Sequence, residues 1–401
     1  MRRESDMTRC DLLVIGGGPA GATIAALAAG RGVRTLLIER DRFPRDKVCG
    51  EFVSAEGCAV LSRLGLFATL TEKGAMPMEA CLLADAEGRS VQSPLPDLPR
   101  AGRTAFGISR AVLDELLLRH AASRGAAVRE RTVALTPVLE NGRVTGLTTR
   151  GTGATSGDET IAATLVIAAD GRRSMLQRAF HPTIGDPLTT SGRSWFGFKA
   201  HFPDRTRGLD RRIELYVFDG GYAGLGPVEG GRLNLALIAR VDALNACGNS
   251  PQRLFEERML LNPPLRERLG NDRPGSPWKT VGPLRFNVRR PASHGAMFLG
   301  DAAGTIDPFS GEGMSNAFRG AELALPFVMD ALASGRLTDA AARAWTSDWR
   351  DAFAPVTRRA RFIGRIFQHP RPAALAMGLL RLPHGARMLP HLVAATRTGS
   401  I

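Results

Sequence analysis

Asp11-Leu12-Leu13-Val14-Ile15-Gly16-Gly17-Gly18-Pro19-Ala20-Gly21 is the stretch whose reading decides the fold. A short apolar strand, Asp11–Ile15, runs into a glycine turn. An alanine-rich helix over Ala20–Gly30 follows, then a β-branched strand over Val33–Ile38, which completes a β-α-β unit. Gly16 permits the tight turn, Gly18 lets a pyrophosphate approach the backbone, and Gly21 allows close helix–strand packing. Pro19 and Ala20 open the helix, where a proline loses no needed N–H. The exposed N–H groups and dipole of that helix start favour a phosphate. Glu39, at the end of the second strand with Arg40 beside it, can accept both hydroxyls of a ribose. A carboxylate there repels a 2′-phosphate, so the pocket fits FAD or NAD rather than NADP. The segment binds a dinucleotide.

Outward from this unit, Ser109–Arg124 reads as an amphipathic helix capped by Ser109. Two strands, Ala127–Val133 and Arg143–Arg150, flank the turn signal Asn141-Gly142, and Thr164–Ala169 is a further buried strand. From about Gln177 to Arg290 the pattern changes to alternating strands: Arg193–Phe202, Arg212–Phe218 and Arg232–Ile238. Met297–Leu299 returns to the first sheet, a helix runs from Gly313 to Ala333, and the remainder reads as helical with proline breaks. These shifts divide the chain into a discontinuous nucleotide-binding domain (1–176 and 291–335), an inserted antiparallel substrate domain (177–290) and a helical C-terminal segment (336–401).

Composition narrows the function classes. With 401 residues and 44% apolar side chains, the chain can build more than one packed unit. Its five cysteines are irregularly spaced, with neither a metal-ligand pattern nor a secreted disulfide framework, which suggests a reducing cytoplasm. No apolar leader or bilayer-length run is read in the sequence, so a cytoplasmic protein is expected, with a possible place at the membrane periphery. Net charge is +14, but the arginines are scattered and form no nucleic-acid motif, so no nucleic-acid partner is expected. The exception is the far end. Beyond Asp351 there is no acidic residue, while arginines recur from Arg358 to Arg397 among Phe362, Ile363, Ile366 and Phe367. Such a segment can cap the substrate domain, or dock on an anionic membrane or acidic carrier protein.

Two later motifs separate FAD from NAD, and here a resemblance enters. Ala169-Asp170-Gly171-Arg-Arg-Ser174 resembles the Asp-Gly motif, and Phe298-Leu-Gly300-Asp301-Ala-Ala-Gly304 with Pro308, Gly311, Gly313 and Met314 resembles the Gly-Asp motif, of the para-hydroxybenzoate-hydroxylase-like flavoprotein superfamily. The resemblance implies an α/β fold: a Rossmann-like FAD-binding domain of the glutathione-reductase type, with an interleaved antiparallel substrate sheet and a helical C-terminus. It implies FAD as cofactor, with electrons supplied either by reduced nicotinamide, NAD(P)H, binding transiently, or by an external reductase. Asp301 would meet the ribityl chain, Arg110 the phosphate region and Val133 the adenine. The Pro308–Gly313 loop would lie against the flavin ring, and the helix from Gly313 would present its positive end to the reduced flavin.

Lys47-Val-Cys49-Gly50-Glu51 resembles a stretch of the geranylgeranyl reductase family that passes close to the flavin, with Cys49 near the active centre. Gly304, where aromatic hydroxylases carry histidine, agrees with that branch, whereas Glu51 replaces the commoner second glycine. Tyr222-Ala-Gly224-Leu-Gly226-Pro227 stands where the family carries aromatic tunnel residues, which leaves space there. Trp195, Lys199, Tyr216, Tyr222 and Gly224 are the substrate-pocket candidates, and His201 is another possible lining residue. The implied activity is a reductase or dehydrogenase acting on a largely apolar or aromatic small molecule. A monooxygenase is the alternative reading and a flavin halogenase the third.

Overall fold

The computed structural model describes residues 9–95, 105–153, 157–181, 194–206, 210–286, 289–367, 370–382 and 384–389. An eight-stranded sheet carries the fingerprint. Its central strand Arg9–Ile15 lies parallel to Thr35–Ile38 on one side and to Asp158–Ala168 on the other, and Asp158–Ala168 in turn pairs in parallel with Ala296–Phe298. Parallel strands end at the same edge of a sheet. Four distant motifs, at Gly16, Glu39, Asp170 and Gly300, therefore converge where those strands finish, the usual ligand edge of such sheets. The helix Pro19–Ala29 is almost wholly buried, packed between Arg110–Ser123 and the long helix Gly313–Ala333. Ser109 caps its helix as expected, its hydroxyl accepting from Val112 N–H at 3.3 Å. Asn141 and Gly142 both adopt left-handed backbone conformations (φ 51° and 75°), which suits a tight hairpin turn.

The second sheet has seven strands, in the order Lys279–Leu284, Trp195–Pro203, Arg232–Arg240, Gly221–Val228, Arg212–Phe218, Ala80–Ala84, Ser90–Pro94. The last two strands correct the boundary drawn from sequence, which gave all of 1–176 to the nucleotide unit. Ala80–Ala84 pairs in parallel with Arg212–Phe218, and Ser90–Pro94 completes the edge. A five-residue apolar run does not say which of two sheets it joins, because that choice is made by long-range pairing. The short helices Val241–Ala246, Pro251–Glu257 and Pro263–Leu269 bury apolar residues against one face of this sheet.

The C-terminal helix Asp339–Phe367 runs through Pro355 without a break, contrary to the expectation of proline interruptions. Trp345, Trp349, Phe353, Val356 and Ala360 are all buried along it, and that packing offsets the one backbone hydrogen bond proline removes. A second helix, Pro370–Leu380, packs against it. Arg193, expected to start a strand, and Arg397 lie outside the described residues. Among the described residues no helix is long and apolar enough to cross a membrane.

Candidate functional site at the edge of the parallel strands

The glycine turn is as tight as its sequence suggests. Gly16 sits at φ 99°, and a Cβ on Gly21 would fall 1.9 Å from the Gly16 carbonyl oxygen, so no larger residue fits. Glu39 is buried just beyond the second strand; one oxygen accepts from Gly17 N–H at 2.8 Å and the other from Asp41 N–H at 3.0 Å. Burial pushes its carboxyl up, but nearby Arg45 and those backbone N–H groups outweigh it, and the net effect is to hold Glu39 below the usual carboxylate range. A carboxylate offers about four lone-pair positions, so it retains capacity for a ribose hydroxyl. Arg40, by contrast, is exposed and pairs with Asp41 at 3.6 Å. Val133 stands in the strand Thr132–Glu140, whose first residue donates its N–H to the Glu39 carbonyl.

Cations crowd the mouth of the turn. The Arg45 and Arg110 guanidiniums both bind the buried carboxylate of Asp114, at 2.8 and 2.6 Å, and reach to 3.7 and 4.0 Å of the Cβ position on Gly18. Lys47 is pushed down to about 8, first by burial and then by Arg45. Asp301, just past its strand, is exposed to solvent. Desolvation by the protein packed around it nonetheless pushes its carboxyl up, against the pull of Arg172, Arg110, Arg289 and Lys47. Burial likewise lowers Arg172 and Arg289. Nε of Arg45 and of Arg289 are buried without a hydrogen-bond partner. Arginines held this way, next to a bare helix N-terminus, fit the pyrophosphate of a dinucleotide. Arg45, Arg172 and Arg289 were not singled out from sequence, whereas Lys47 opens the stretch read there as passing close to the flavin. Arg45 had a signal, since it precedes that stretch by two residues; Arg289 had none.

Asp170 follows its strand and accepts from Met175 N–H at 2.7 Å, while its other oxygen is buried and unpartnered, and burial pushes the carboxyl up. In the Gly-Asp segment, Gly300 (φ 57°) packs on the Ala20 side chain, joining the two phosphate-side motifs. Pro308 and Gly313 are exposed, with open space where a Cβ on Gly313 would stand, whereas Met314 is buried and Gly311 turns against Phe52. The helix from Gly313 has no side-chain cap, so its first N–H groups are available to a ligand. Below the loop, buried Asp307 accepts from Phe309 N–H at 3.0 Å and from the Tyr222 hydroxyl at 2.5 Å. Burial pushes Asp307 up, and burial with Asp307 beside it pushes Tyr222 well up.

Facing that loop is the segment Asp46–Glu51. Cys49 is half-buried, its sulfur accepting from Glu51 N–H at 3.4 Å and lying close enough to Arg110 to interact with it. Gly50 is exposed, with nothing where its Cβ would be. Glu51 is buried in a left-handed conformation (φ 55°) that disfavours any residue but glycine. Its carboxylate explains the departure from the family's glycine: it meets Lys199 Nζ at 2.5 Å, Arg110 N–H at 2.7 Å and His201 Nε2 at 2.9 Å. Lys199 also pairs with Asp46 at 2.5 Å. Asn234, fully buried, donates to the Cys49 carbonyl at 3.0 Å, and its Oδ1 is without a partner.

Strand register sorts the pocket candidates. Trp195, Lys199 and His201 alternate along one strand; His201 pairs with Asn234, Lys199 with Ala236, and Ala236 with Gly224. Tyr222 belongs to the same face, packed with Leu215, Val217 and Ile238. Tyr216 does not. It packs with Phe198, Phe202 and Ala223 beneath the short helices and donates to Glu214. The cause is the hairpin, which pairs Phe218 with Gly221, so even-numbered residues of the two strands fall on opposite faces.

Residues 9–324 match the family described as an FAD binding domain. The chain belongs to this FAD-binding family. It is an FAD-dependent oxidoreductase. It is 27% identical over 369 residues to "Menaquinone reductase" of Mycolicibacterium smegmatis, covering 91% of this chain and 86% of the relative. It is 28% identical over 354 residues to "Digeranylgeranylglycerophospholipid reductase" of Methanosphaerula palustris, covering 86% and 82%. Its fold matches a geranylgeranyl bacteriochlorophyll reductase-like protein from Thermoplasma acidophilum with a TM-score of 0.76 at 20% identity, over 97% and 95% of the two chains. The cradle of this flavoprotein also suits its cofactor on chemical grounds: a bare helix N-terminus, a buried carboxylate with lone pairs to spare, and buried arginine Nε groups without hydrogen-bond partners.

Proposed function

We propose that this flavoprotein is a geranylgeranyl-reductase-like reductase or dehydrogenase that acts on a largely apolar small molecule. FAD, when bound, supplies the two-electron chemistry. Gly16, Gly18, Pro19, Ala20 and Gly21, with Arg45, Arg110 and the helix start, would hold the pyrophosphate. Glu39 would take the adenosine ribose, and Asp170, Gly300 and Asp301 the ribityl side. Gly50, Pro308, Gly311 and Gly313 would lie along the ring, and the N-terminus of Gly313–Ala333 would steady negative charge there. Reduced nicotinamide is the donor in this reading, binding and leaving rather than residing.

The observation that carries the substrate class is the floor of the second sheet. Gly224 and its cross-strand partner Ala236 are accessible, nothing but Leu215 and a carbonyl lies within 4 Å of the Gly224 Cβ position, and Tyr222, Leu215 and Ile238 border it. Two residues along, the unpartnered Asn234 Oδ1 offers a single acceptor beside the Cys49 backbone. An open apolar floor binds a substrate chiefly by burial. Cys49, partly accessible beside Arg110, would touch what binds there in this reading. The relatives named as reductases support this reading.

The test is anaerobic turnover of polyprenyl alkenes and quinones by the FAD-loaded protein supplied with NADH or NADPH. Conversion without oxygen is the expected result. Oxygen uptake triggered by substrate, with no anaerobic product, would make the protein a monooxygenase instead. For Cys49→Ala, a fall in turnover with an unchanged flavin spectrum is expected, and full activity would remove the cysteine from the mechanism.

A further inference from the structure

We propose that the outward faces of the two C-terminal helices form a docking surface for an anionic lipid bilayer. The proposal rests on the reading above, that the substrate is apolar enough to live in a membrane. Five of the seven large apolar side chains exposed among the described residues are Phe362, Leu375, Leu379, Leu382 and Met388. Scattered singly over a surface such residues need no explanation, but concentrated in one short stretch they mark a contact. Phe362 is 67% exposed although the residues that follow it, Ile363 and Gly364, are buried. Leu375 (69%) and Leu379 (57%) stand one turn apart on the outer side of Pro370–Leu380, whose Ala373, Met377 and Leu380 point inward.

Charge selects the occupant. Exposed Arg358 and Arg365 flank Phe362 at i−4 and i+3, exposed Arg371 stands one turn before Leu375, and exposed Arg381 and Arg387 adjoin Leu382 and Met388. No aspartate or glutamate follows Asp351. Aromatic and leucine side chains flanked along the chain by arginine, with no acidic residue after Asp351, fit the boundary of an anionic bilayer, where the apolar groups enter and the guanidiniums stay at the phosphates.

The same helix also reaches the flavin loop. A Cβ on Gly364 would lie 2.8 Å from the Asp307 carboxylate, and Phe367 stacks on Phe309 at 5.3 Å and 10°. One turn of helix therefore separates Phe362 on the outside from the residues under the loop.

The experiment is flotation of the FAD-loaded full chain with vesicles of phosphatidylcholine, alone or with phosphatidylglycerol added. Turnover of a detergent-dissolved quinone is followed in parallel. We expect binding only to the anionic vesicles, release by high salt, and at least a ten-fold loss of binding in the Phe362→Glu/Leu375→Glu double variant. Flavin content, thermal midpoint and detergent-phase turnover of that variant should be unchanged. Equal binding to both vesicle types, undiminished binding by the variant, or retention on an acidic protein without vesicle binding would each overturn the docking surface. Vesicle binding without turnover of any apolar acceptor would leave docking standing and refute the proposed reaction.

Discussion

The two faces of the seven-stranded sheet are built from alternate residues of the same strands, yet they differ in almost everything. Beneath the short helices lie Phe198, Phe202, Tyr216, Leu225, Leu235 and Leu237, an apolar layer interrupted by the buried Glu214, which Tyr216 and Arg268 satisfy. On the opposite face Lys199, His201 and Asn234 are buried as polar groups beside the open Gly224 and Ala236. The first face holds the sheet together by apolar burial. The second keeps apolar burial at Leu215, Val217, Tyr222 and Ile238 and uses Lys199, His201 and Asn234 to hold the segment Asp46–Glu51. Period-two alternation lets one strand serve both ends.

The largest effect expected tests the polar clamp. Lys199→Leu leaves the buried carboxylate of Glu51 without its lysine, while Asp46 keeps Lys279 at 3.2 Å; it should cost about 3–5 kcal/mol in urea unfolding, with weaker FAD retention in what remains folded. Phe202→Ala on the other face should cost a similar amount, about 3–5 kcal/mol, but leave FAD affinity per folded molecule unchanged. If Lys199→Leu also keeps its FAD affinity, the polar face has no special tie to the cofactor.

Next come the two tyrosines. Tyr222→Phe takes the hydroxyl from buried Asp307 and should cost about 1–3 kcal/mol while shifting the flavin absorbance, because Asp307 supports the ring-side loop. Tyr216→Phe leaves Glu214 still paired with Arg268 at 2.8 Å. It should cost no more than about 1 kcal/mol and leave the spectrum alone.

Lys47 sharpens the comparison through pH. Its free-protein value of about 8 lies below the ordinary 10.5. Between those values the unfolded chain holds a proton that the native FAD-free protein has lost, so this group makes that form more stable as pH rises. A bound pyrophosphate favours the charged amine, so FAD affinity should instead fall above about pH 8, by at most about ten-fold per pH unit. Fluorescence titration of FAD across that window should show the fall, and Lys47→Met should flatten it. The smallest effect on stability belongs to Gly224→Leu. Its side chain would project into open space and should change unfolding by about 0.5 kcal/mol or less, while sharply reducing turnover of a bulky apolar substrate. Unchanged turnover would move the pocket away from that floor.

Much of the nucleotide site was legible because its demands are local. The turn at Gly16–Gly21, the carboxylate at Glu39 and the helix boundaries at Ser109 and Gly313 follow from backbone geometry that few residues satisfy. What stayed hidden depends on pairing at long range. Asp46 and Glu51 meet a lysine some 150 positions away, and no periodicity announces that. Glu51 looked like a departure from a glycine pattern, whereas its conformation remains left-handed and its side chain supplies the clamp. Tyr216 was misplaced because the offset of its hairpin sets which face it occupies. Ala80–Ala84 fell within the span given to the nucleotide-binding domain, because a five-residue apolar run does not say which sheet it joins.

Gly364 and Phe367, which close the underside of the flavin loop, carry a consequence for how the protein is made. The ribosome delivers the fingerprint turn early and these two residues some 350 positions later. Until the C-terminal helix arrives, Asp307 lacks a packing neighbour and Phe309 its stacking partner. A nascent chain can therefore shape the phosphate cradle long before it can seat the ring, and secure cofactor loading belongs to the end of synthesis.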